Sequence, residues 1–473
     1  MSISRLWLFL AVALPVLAAL IANLSSVDLT YHLRAGNEFL DTGRVPSVDR
    51  WTFTAAGLPW FDQQWGAQAL LALVERIGGW TGLVPLRGIM VGFIFGSLGL
   101  IAWRRGVGPR TTALLVLAAF IVAAPALALR PQLFGMVCFS IVLLLVTDRR
   151  AHPERLWIVP IVVLAWANLH GSFFLGPLVM GLAWLEDVHD RVNGARRTLF
   201  LAAISAVAAC VTPFGPMVWV YALGLAVNPD VTSRITEWQP TSLRDVPGIL
   251  FFTSVVAVVV LIARRGQRSP WPTLLWLFIF FLIGTFAVRG VAWWPLAAAV
   301  AVSPMLVRSE AKSGTTRQEP QTLRRLNVAV AMTLIAAGVA LLPLWRPIDP
   351  GLGTPVGVVG NAPPGITGAL REMARPDDRL FNPQPWGSWF EYALPDLPVV
   401  LDSRIELFPP EVWDAYQIVE SGVDGWERQL GDWGVTIVVV GVDQPAFVAR
   451  LREIGWSEIH RDFDGSILQK PRG

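Results

Sequence analysis

The sequence predicts a polytopic α-helical membrane protein that carries a small α/β domain at its C-terminal end. Three observations support this fold class. Only 15% of the 473 residues are charged, well below the roughly 25% of an average soluble domain. Apolar stretches close to the length that a bilayer core requires recur along the first 345 residues. After residue 350, short β-rich runs alternate with helical patterns, as they do in α/β domains.

The apolar stretches predict about 11 transmembrane helices, some of them short for a full crossing. They are 6–24, 83–103, 111–129, 132–147, 156–169, 172–185, 198–212, 246–263, 271–288, 291–307 and 326–345. The first stretch lacks a small-residue cleavage site, so we interpret it as a retained span rather than a signal peptide. Segments 66–77 and 216–227 suit helices that lie in the membrane interface.

Basic residues follow a regular alternation between these spans. Clusters occur at every second connection, at Arg5, Arg104, Arg105, Arg110, Arg149, Arg150, Arg155, Arg191, Arg196, Arg197, Arg264, Arg265, Arg268, Arg308, Lys312, Arg317, Arg324 and Arg325. Basic residues are retained on the cytoplasmic side of a membrane. We therefore expect a cytoplasmic N-terminus and an extracytoplasmic C-terminal domain in a multi-pass membrane protein.

Composition divides the chain into three parts. Residues 1–345 form the multi-span domain with its first outer loop at 25–65, a Gly/Pro-rich linker covers 346–365, and residues 366–473 form the α/β domain. Helices are expected at 366–374, 410–420, 424–433 and 444–454, and strands at 379–382, 397–401, 436–441 and as a pair within 457–469.

Several function classes have no support in the sequence. No turn carries a GxGxxG or GxxxxGK[ST] pattern, so nucleotide binding has no motif. The net charge of +3 gives no reason to expect a nucleic-acid partner. Cys138 and Cys210 lie within apolar runs, where small buried hydrophobes are expected rather than a disulfide or a paired metal site.

The polar residues that this topology places on the outer face are the main functional clue. Asp28 begins the first outer loop and Glu237 lies in a later one. A carboxylate fixed at the bilayer surface can act as a general base on a hydroxyl or as a metal ligand. Further candidates in the first loop are His32, Asp62 and Gln63.

The same face offers groups that suit a lipid phosphate. Arg34, Arg130 and Arg289 are candidates because guanidinium binds phosphate oxygens in a bidentate manner. His170 could share that phosphate or donate a proton.

Each candidate also has a structural alternative. Arg130 and Arg289 could extend to lipid headgroups from span ends, and His170 could pack between helices beside Gly171. Asp62 could serve as a turn residue, and Asp28 could cap a helix through LTYHLRAGNEFL. The functional interpretation depends on several anion binders and two acids sharing one face.

Longer stretches are similar to a known family. An acidic residue at the start of a long first outer loop, interfacial helices and a multi-span core resemble the membrane-embedded C-type (GT-C) glycosyltransferases. A largely uncharacterised bacterial group of that superfamily is resembled by DLTYHLRAGNEFLDTGRVPSVDRWTFTAAGLPWFDQQW, RPQLFG, WANLHGSFFLG, VTPFGPMVW, ITEWQP and WGSWFEYALPDLPVVLDSRIELF. The resemblance covers nearly the whole chain.

The resemblance implies roles for particular residues. Asp28 matches the first-loop acid that serves as catalytic base or metal ligand in the superfamily, but Leu29 and Thr30 follow it where many members have a second acid. Metal dependence is therefore left open, with Asp28 the ligand of any divalent cation (Mg²⁺ or Mn²⁺). The stretch Trp386–Glu391 departs from the WWD motif of oligosaccharyltransferases, so sequon recognition is not implied.

The function that the resemblance implies is transfer of a hexosyl or pentosyl group from a polyprenyl-phosphate-linked donor. The acceptor would be a glycan, lipid or protein of the cell envelope, at the outer face of the plasma membrane. One rival is a transporter or flippase of a lipid-linked anion, although no pair of matched broken helices is evident in two similar halves. A second rival is a non-catalytic subunit of an envelope-assembly complex.

Overall fold

The computed structural model describes residues 1–264, 269–307 and 319–471. Packing divides the chain into two compact units. The first unit comprises Met1–Ala22 and Val84–Leu342, and the second comprises Asn23–Leu83 and Pro343–Gly473. This division differs from the three sequence-based parts, because it groups the first outer loop with the C-terminal residues. The boundaries 1–345, 346–365 and 366–473 stay predictions.

The first unit is helical throughout its described elements. Its helices are α1 (Ile3–Ile21), the second part of α3 (Trp65–Arg104), α4 (Pro109–Ala123), α5 (Pro131–Thr147), α6 (Ile158–Leu169), α7 (Leu175–His189), α8 (Ala195–Ala208), α9 (Met217–Val227), α10 (Pro229–Arg234), α11 (Val246–Arg264), α12 (Trp271–Phe286), α13 (Trp294–Val302) and α14 (Gln321–Ala340). Helix α1 packs against α4 and α14, and α8 packs against α6 and α7.

Local chemistry explains where several of these helices begin. Ser2 caps α1 by accepting a hydrogen bond from the Arg5 backbone N–H. Arg130 has extended backbone, and Pro131 then occupies the first turn of α5, where its missing N–H costs nothing. The Arg130 side chain is therefore presented at the helix start.

Five described helices are long and apolar enough to cross a membrane: Ile3–Ile21, Trp65–Arg104, Pro109–Ala126, Val246–Arg264 and Gln321–Ala340. Pro131–Thr147 and Trp271–Phe286 are shorter apolar helices. The prediction of an α-helical membrane protein is thus confirmed in its coarse form. The count of about 11 spans stays a prediction for the shorter helices.

Helix α3 is broken at Gly79, whose backbone angles (φ 57°, ψ −161°) are not helical. A positive φ of this kind is accessible to glycine without the steric cost that other residues incur. The break separates the segment 66–77, predicted to lie in the interface, from the segment 83–103, predicted to span. One helical segment therefore ends and another begins at Gly79, between the predicted interfacial segment and the predicted span.

The second unit contains helices α2 (Leu29–Thr42), the first part of α3, α15 (Pro364–Met373), α16 (Gln384–Ala393), α17 (Pro410–Ser421), α18 (Trp426–Asp432) and α19 (Pro445–Glu453). Its strands are β1 (Leu380–Phe381), β2 (Ile437–Gly441), β3 (Ser457–Arg461) and β4 (Gly465–Gln469). They form one mixed sheet in the order β1-β2-β4-β3, in which only the β1–β2 pair is parallel. Helix α19 packs on β2 and β4.

One expected strand is not a regular strand. Within the described second unit, residues 397–401 form only isolated bridges, from Val399 to Thr52 and to Leu380. The adjacent strand β1 is only two residues long, so it is too short to form a continuous ladder with residues 397–401. The segment is nevertheless extended and hydrogen-bonded on both sides, since Val400 N donates to Leu380 O and Phe53 N donates to Val399 O.

Helix α2 lies very close to the start of α3. A Cβ atom added at Gly36 would lie 2.1 Å from the backbone oxygen of Gln68, so only glycine fits there. This close approach brings the polar side chains on α2 near Gln68. Helix α2 also packs against α16, which positions the functional candidates described next.

Candidate functional site

The second unit contains a fully buried ion cluster centred on Arg404. Its guanidinium lies 2.6 Å from Asp49, 2.5 Å from Asp402 and 3.5 Å from Glu391, and all four side chains have no exposed surface. Three carboxylates thus surround one cation. Burying an unbalanced charge is costly, so this arrangement favours retention of a proton among the acids.

Protonation in this Arg404 cluster follows from its environment. Burial raises the pKa of Glu391 well above its ordinary value, and the neighbouring Asp402 raises it further. Burial alone would lower the pKa of Arg404, but the surrounding carboxylates outweigh it and the pKa is raised. Arg404 therefore stays charged, while Glu391 keeps a proton to a higher pH than an exposed glutamate.

Two tryptophans of the first outer loop hold the Arg404 guanidinium. Its central carbon lies 4.3 Å from the ring centroid of Trp51 and 4.7 Å from that of Trp60. Cation–π attraction of this kind is strongest when the cation is desolvated, as it is here. Trp51 and Trp60 therefore have a packing role within the second unit.

Asp28 occupies the N-cap position of α2, but among the described residues its side chain makes no hydrogen bond to the helix backbone. The capping alternative is therefore not what the structure shows. The Asp28 charge acts on Glu406 instead: burial, then Asp402, then Asp28 raise the pKa of Glu406. Asp28 is half-buried, and its catalytic role stays a prediction.

Asp62 belongs to a second buried polar group with Gln68 and His32. The Gln68 Nε2 atom donates to Asp62 Oδ1 over 2.7 Å and lies 3.2 Å from His32 Nδ1. Within the described chain, Asp62 Oδ2 and Gln68 Oε1 are buried without a hydrogen-bond partner. Burial raises the pKa of Asp62 to about 8, so this carboxyl exchanges its proton close to neutral pH. Gln63 is as buried as Asp62.

Arg34 binds backbone oxygens near the end of α16. Its Nη1 donates to Glu391 O over 2.6 Å and its Nη2 donates to Pro395 O over 3.3 Å. Its guanidinium also lies over the Trp51 ring. A cation at a helix C-terminus satisfies terminal carbonyls and complements the helix dipole. The structure thus gives Arg34 a packing role, and its phosphate-binding role stays a prediction.

In the first unit, Arg130, Glu237 and Arg289 come together. Arg130 Nη1 lies 2.8 Å from Glu237 Oε1, and Arg289 Nη2 lies 3.0 Å from Glu237 Oε2. Gln132 bridges the two arginines by accepting from Arg130 and donating to the backbone oxygen of Arg289. Two guanidiniums therefore converge on one anion. This converged set, Arg130, Glu237 and Arg289, is called the arginine pair site below.

The charge state of Glu237 follows from this contact. Burial by itself would raise its pKa, but Arg130 and Arg289 overcome that effect and hold it near 2. A carboxylate of such low pKa is a weak base. The geometry therefore favours a counterion role for Glu237 over the catalytic role that the sequence suggests.

His170 lies in the turn between α6 and the 3-10 helix Gly171–Phe174. Its Nδ1 accepts from the Ser172 backbone N–H and lies 2.7 Å from Ser172 Oγ. Burial, and after it the nearby charges of Arg289 and Arg130, lower the pKa of His170 to about 3. The imidazole is therefore neutral, and it supplies no positive charge for a phosphate.

Across residues 1–264, 269–307 and 319–471, no group of three or more His, Cys, Asp or Glu side chains is arranged to hold an ion. Binding of a divalent cation by Asp28 stays a prediction.

The sequence did not identify the Arg404 cluster. Asp402 and Arg404 follow an apolar run that ends at Leu401. They lie within 386–408, one of the stretches that resemble the known family. Two opposite charges separated by one residue, directly after a buried run, are a usable signal for a buried pair. Asp49 also accepts from the backbone N–H groups of Trp51 and Thr52, as an aspartate in a turn does.

Comparison with known proteins gives the fold. No protein-family model and no curated protein matches this chain. Among solved structures, the oligosaccharyltransferase AglB from Archaeoglobus fulgidus, in complex with an inhibitory peptide and a dolichol-phosphate, matches with a TM-score of 0.58 and 14% identity over 93% of this chain and 69% of its own. ArnT from Cupriavidus metallidurans bound to undecaprenyl phosphate matches with a TM-score of 0.52 and 17% identity over 100% of both chains.

Identities this low show the fold alone. Both structures are glycosyltransferases of the GT-C type. The GT-C-like architecture that the sequence resemblance implies is therefore confirmed, as is a location in a membrane. The chain has the fold of membrane-embedded GT-C glycosyltransferases.

Proposed function

We propose that the protein is a membrane-embedded glycosyltransferase that uses a polyprenyl-phosphate-linked sugar donor at the outer face of the plasma membrane. The observation that carries the proposal is the shared fold. Both neighbours above are glycosyltransferases of the GT-C type, and their structures contain polyprenyl phosphates. The donor would be a hexosyl or pentosyl polyprenyl phosphate. The acceptor would be a glycan, lipid or protein of the cell envelope.

The arginine pair site supports recognition of the donor phosphate. Its two guanidiniums already bind a carboxylate oxygen each, with Arg130 and Arg289 on opposite oxygens of Glu237. A phosphate presents oxygens of similar spacing and greater charge, so it can compete for the same N–H groups. Glu237 would then hold the two cations in place until the donor arrives.

The proposed reaction is a displacement at the anomeric carbon. The acceptor hydroxyl oxygen forms a bond to that carbon, and the bond from the carbon to the phosphate oxygen breaks. The bonding electron pair leaves with the polyprenyl phosphate, and guanidiniums stabilise the charge on this leaving group. The hydroxyl proton passes to a base.

We assign the base to Asp28. It is half-buried at the start of α2, and it matches the first-loop acid of the superfamily that the sequence resembles. Glu237 is a weaker base because two arginines lower its pKa. Asp62 carries its proton up to a pH of about 8, which makes it a poorer acceptor at neutral pH.

The test is a transfer assay with purified protein in lipid vesicles and a panel of radiolabelled polyprenyl-phosphate sugars. Release of polyprenyl phosphate reports the reaction even when the acceptor is supplied as a crude envelope extract. Asp28→Asn should fold normally and lose at least about a hundredfold in rate, the lower range for a general base. Asp41→Asn, on the exposed side of the same helix, is the matched control and should retain full activity.

Two outcomes would contradict this proposal. Movement of the lipid-linked sugar across the vesicle membrane, without release of polyprenyl phosphate from any donor, would favour the flippase alternative. Full turnover in Asp28→Asn would instead transfer the base assignment to Asp62 or Glu237.

A further inference from the structure

The second unit contains an open cavity of about 560 Å³ that none of the candidate residues above lines. Its walls come from the break in α3, the loop 348–355, and the helices α15 and α16. The side chains that matter for its chemistry are Glu75, Trp80, Thr81, Arg371, Tyr392 and Ala393. The volume lies in the range of about 300–1,000 Å³ that is typical of small-molecule sites.

One wall of this cavity is aromatic and carries a positioned carboxylate. The rings of Trp80 and Tyr392 pack edge to face, with centroids 5.7 Å apart. The Tyr392 hydroxyl donates to Glu75 Oε1 over 3.3 Å, and Asn37 Nδ2 donates to Glu75 Oε2 over 3.5 Å. These contacts hold the carboxylate in place before any ligand binds.

The cavity lining also supplies a cation. Arg371 donates to the backbone oxygen of Gly351 over 3.0 Å, which restrains its guanidinium. Gly79 and Gly353 also line the cavity, and a Cβ added at either position would meet nothing within 4 Å. The space beside these two glycines is therefore open to a ligand.

The aromatic rings, the carboxylate and the guanidinium of this cavity together favour one class of ligand over others. An acyl chain would remove the charged groups of Glu75 and Arg371 from water without offering them any hydrogen bond, which is costly. A nucleotide or polyphosphate would bring several negative charges toward Glu75, with Arg371 as the one cationic lining residue. A saccharide fits both requirements, since its C–H faces pack on aromatic rings while its hydroxyls bind carboxylate, guanidinium and backbone groups.

We propose that this cavity is a carbohydrate-binding site, separate from the residues assigned to transfer, that holds a mono- or disaccharide unit of the acceptor or product glycan. The assignment to an acceptor or product rests on the proposed function. The saccharide class rests on the cavity itself.

The test uses the full-length protein in lipid nanodiscs and saturation-transfer NMR with a panel of neutral methyl glycosides and disaccharides, without any donor lipid. At least one saccharide should bind the wild-type protein. Ala393→Trp, which fills the cavity from the end of α16, should weaken its binding by more than about tenfold. Glu75→Gln keeps the size of the side chain but removes its charge, and should weaken binding by about three- to tenfold.

Glu427→Gln is the control, since Glu427 lies in the first turn of α18 and is exposed. It should leave saccharide binding unchanged. Binding of no saccharide at millimolar concentration by the folded wild-type protein would overturn the proposal. Equal binding by wild type and Glu75→Gln would also overturn it, whether or not Ala393→Trp folds.

The outcome is separable from that of the proposed function. A protein that transfers sugar but binds no saccharide in this assay contradicts the cavity assignment alone. A protein that binds saccharide through the cavity but transfers none contradicts the glycosyltransferase proposal alone.

Discussion

The Arg404 guanidinium lies 2.6 Å from the Asp49 carboxylate, and neither side chain has any exposed surface. Asp49 belongs to the first outer loop, and Arg404 follows it by 355 positions in the chain. The contact joins the two segments 23–83 and 343–473 of one compact unit, which also share a buried apolar core. A buried charge requires its partner, so the ion pair contributes to holding the two segments together.

Loss of the Arg404 cation should destabilise the second unit severely. Arg404→Met keeps much of the side-chain volume but leaves Asp49, Asp402 and Glu391 buried without a counterion. Breaking a buried pair in this way costs about 3–5 kcal/mol, measured as the free energy of unfolding from tryptophan fluorescence. Arg428→Met, whose ion pair with Asp432 is largely exposed, should change it by less than about 0.5 kcal/mol. Equal effects of the two substitutions would contradict the importance of the buried cluster.

Asp62 should make stability depend on pH in a definite direction. Burial raises the pKa of its carboxyl from 3.8 to about 8, so the folded state keeps a proton that the unfolded chain has lost. The free energy of unfolding should therefore fall as the pH rises from about 4 to about 8, and then level off.

Asp62→Asn removes this titration. Relative to wild type, the variant should gain stability across the same pH range, by on the order of a few kcal/mol since each pKa unit corresponds to about 1.4 kcal/mol. The measurement is the difference in thermal unfolding midpoint at pH 5 and pH 9. The exposed Asp41→Asn substitution should give a difference that does not vary with pH. A constant difference for Asp62→Asn as well would mean that Asp62 is ionised in the folded protein.

Arg289 should contribute to donor use through the arginine pair site. Arg289→Ala removes one of the two guanidiniums that bind Glu237, and we expect donor affinity to fall by about ten- to a hundredfold. Arg289→Lys should restore part of this loss, because lysine carries the charge without the bidentate fork. Arg197→Ala, on an exposed position of α8, is the control. Unchanged donor use in a folded Arg289→Ala protein would limit this residue to its ion pair with Glu237.

The N-terminus and the C-terminal domain should lie on opposite sides of the membrane. Basic clusters at every second connection place the N-terminus in the cytoplasm and residues 346–473 outside. Reporter fusions at Arg265 and Gly473, which lie outside the described residues, should therefore report a cytoplasmic and an extracytoplasmic position. Both reporters on one side would contradict the orientation and the outer-face grouping of the candidate residues.

The elements of this fold could be predicted well because their signals are local. A helix lies in each of the eleven apolar stretches, since hydropathy and the absence of strand alternation act within one segment. The change at Gly79 separates an interfacial pattern from a spanning one, as the composition of 66–77 and 83–103 suggests. In the C-terminal part, β2 and β4 follow from short β-branched runs between helical patterns.

The candidate site was predictable only in part. Arg130, Glu237 and Arg289 could be selected one by one as polar residues at the outer face, but their convergence was not readable from positions more than 50 residues apart. For Arg34, the sequence suggested a different role from the one its contacts show. An arginine at this position suggests a phosphate-binding residue, yet the packing of α2 on α16 directs its N–H groups to backbone oxygens.

The sequence by itself determined the class of the protein, its helices, the change from an interfacial segment at 66–77 to a spanning one at 83–103, and the residues from which a site could be built, because hydropathy and helix propensity are properties of short segments. Only the tertiary structure decided the partner of each charge. Asp49, Asp402 and Glu391 share Arg404, and Glu237 joins two arginines, because a desolvated charge is stable only beside a counterion that the fold brings from elsewhere in the chain.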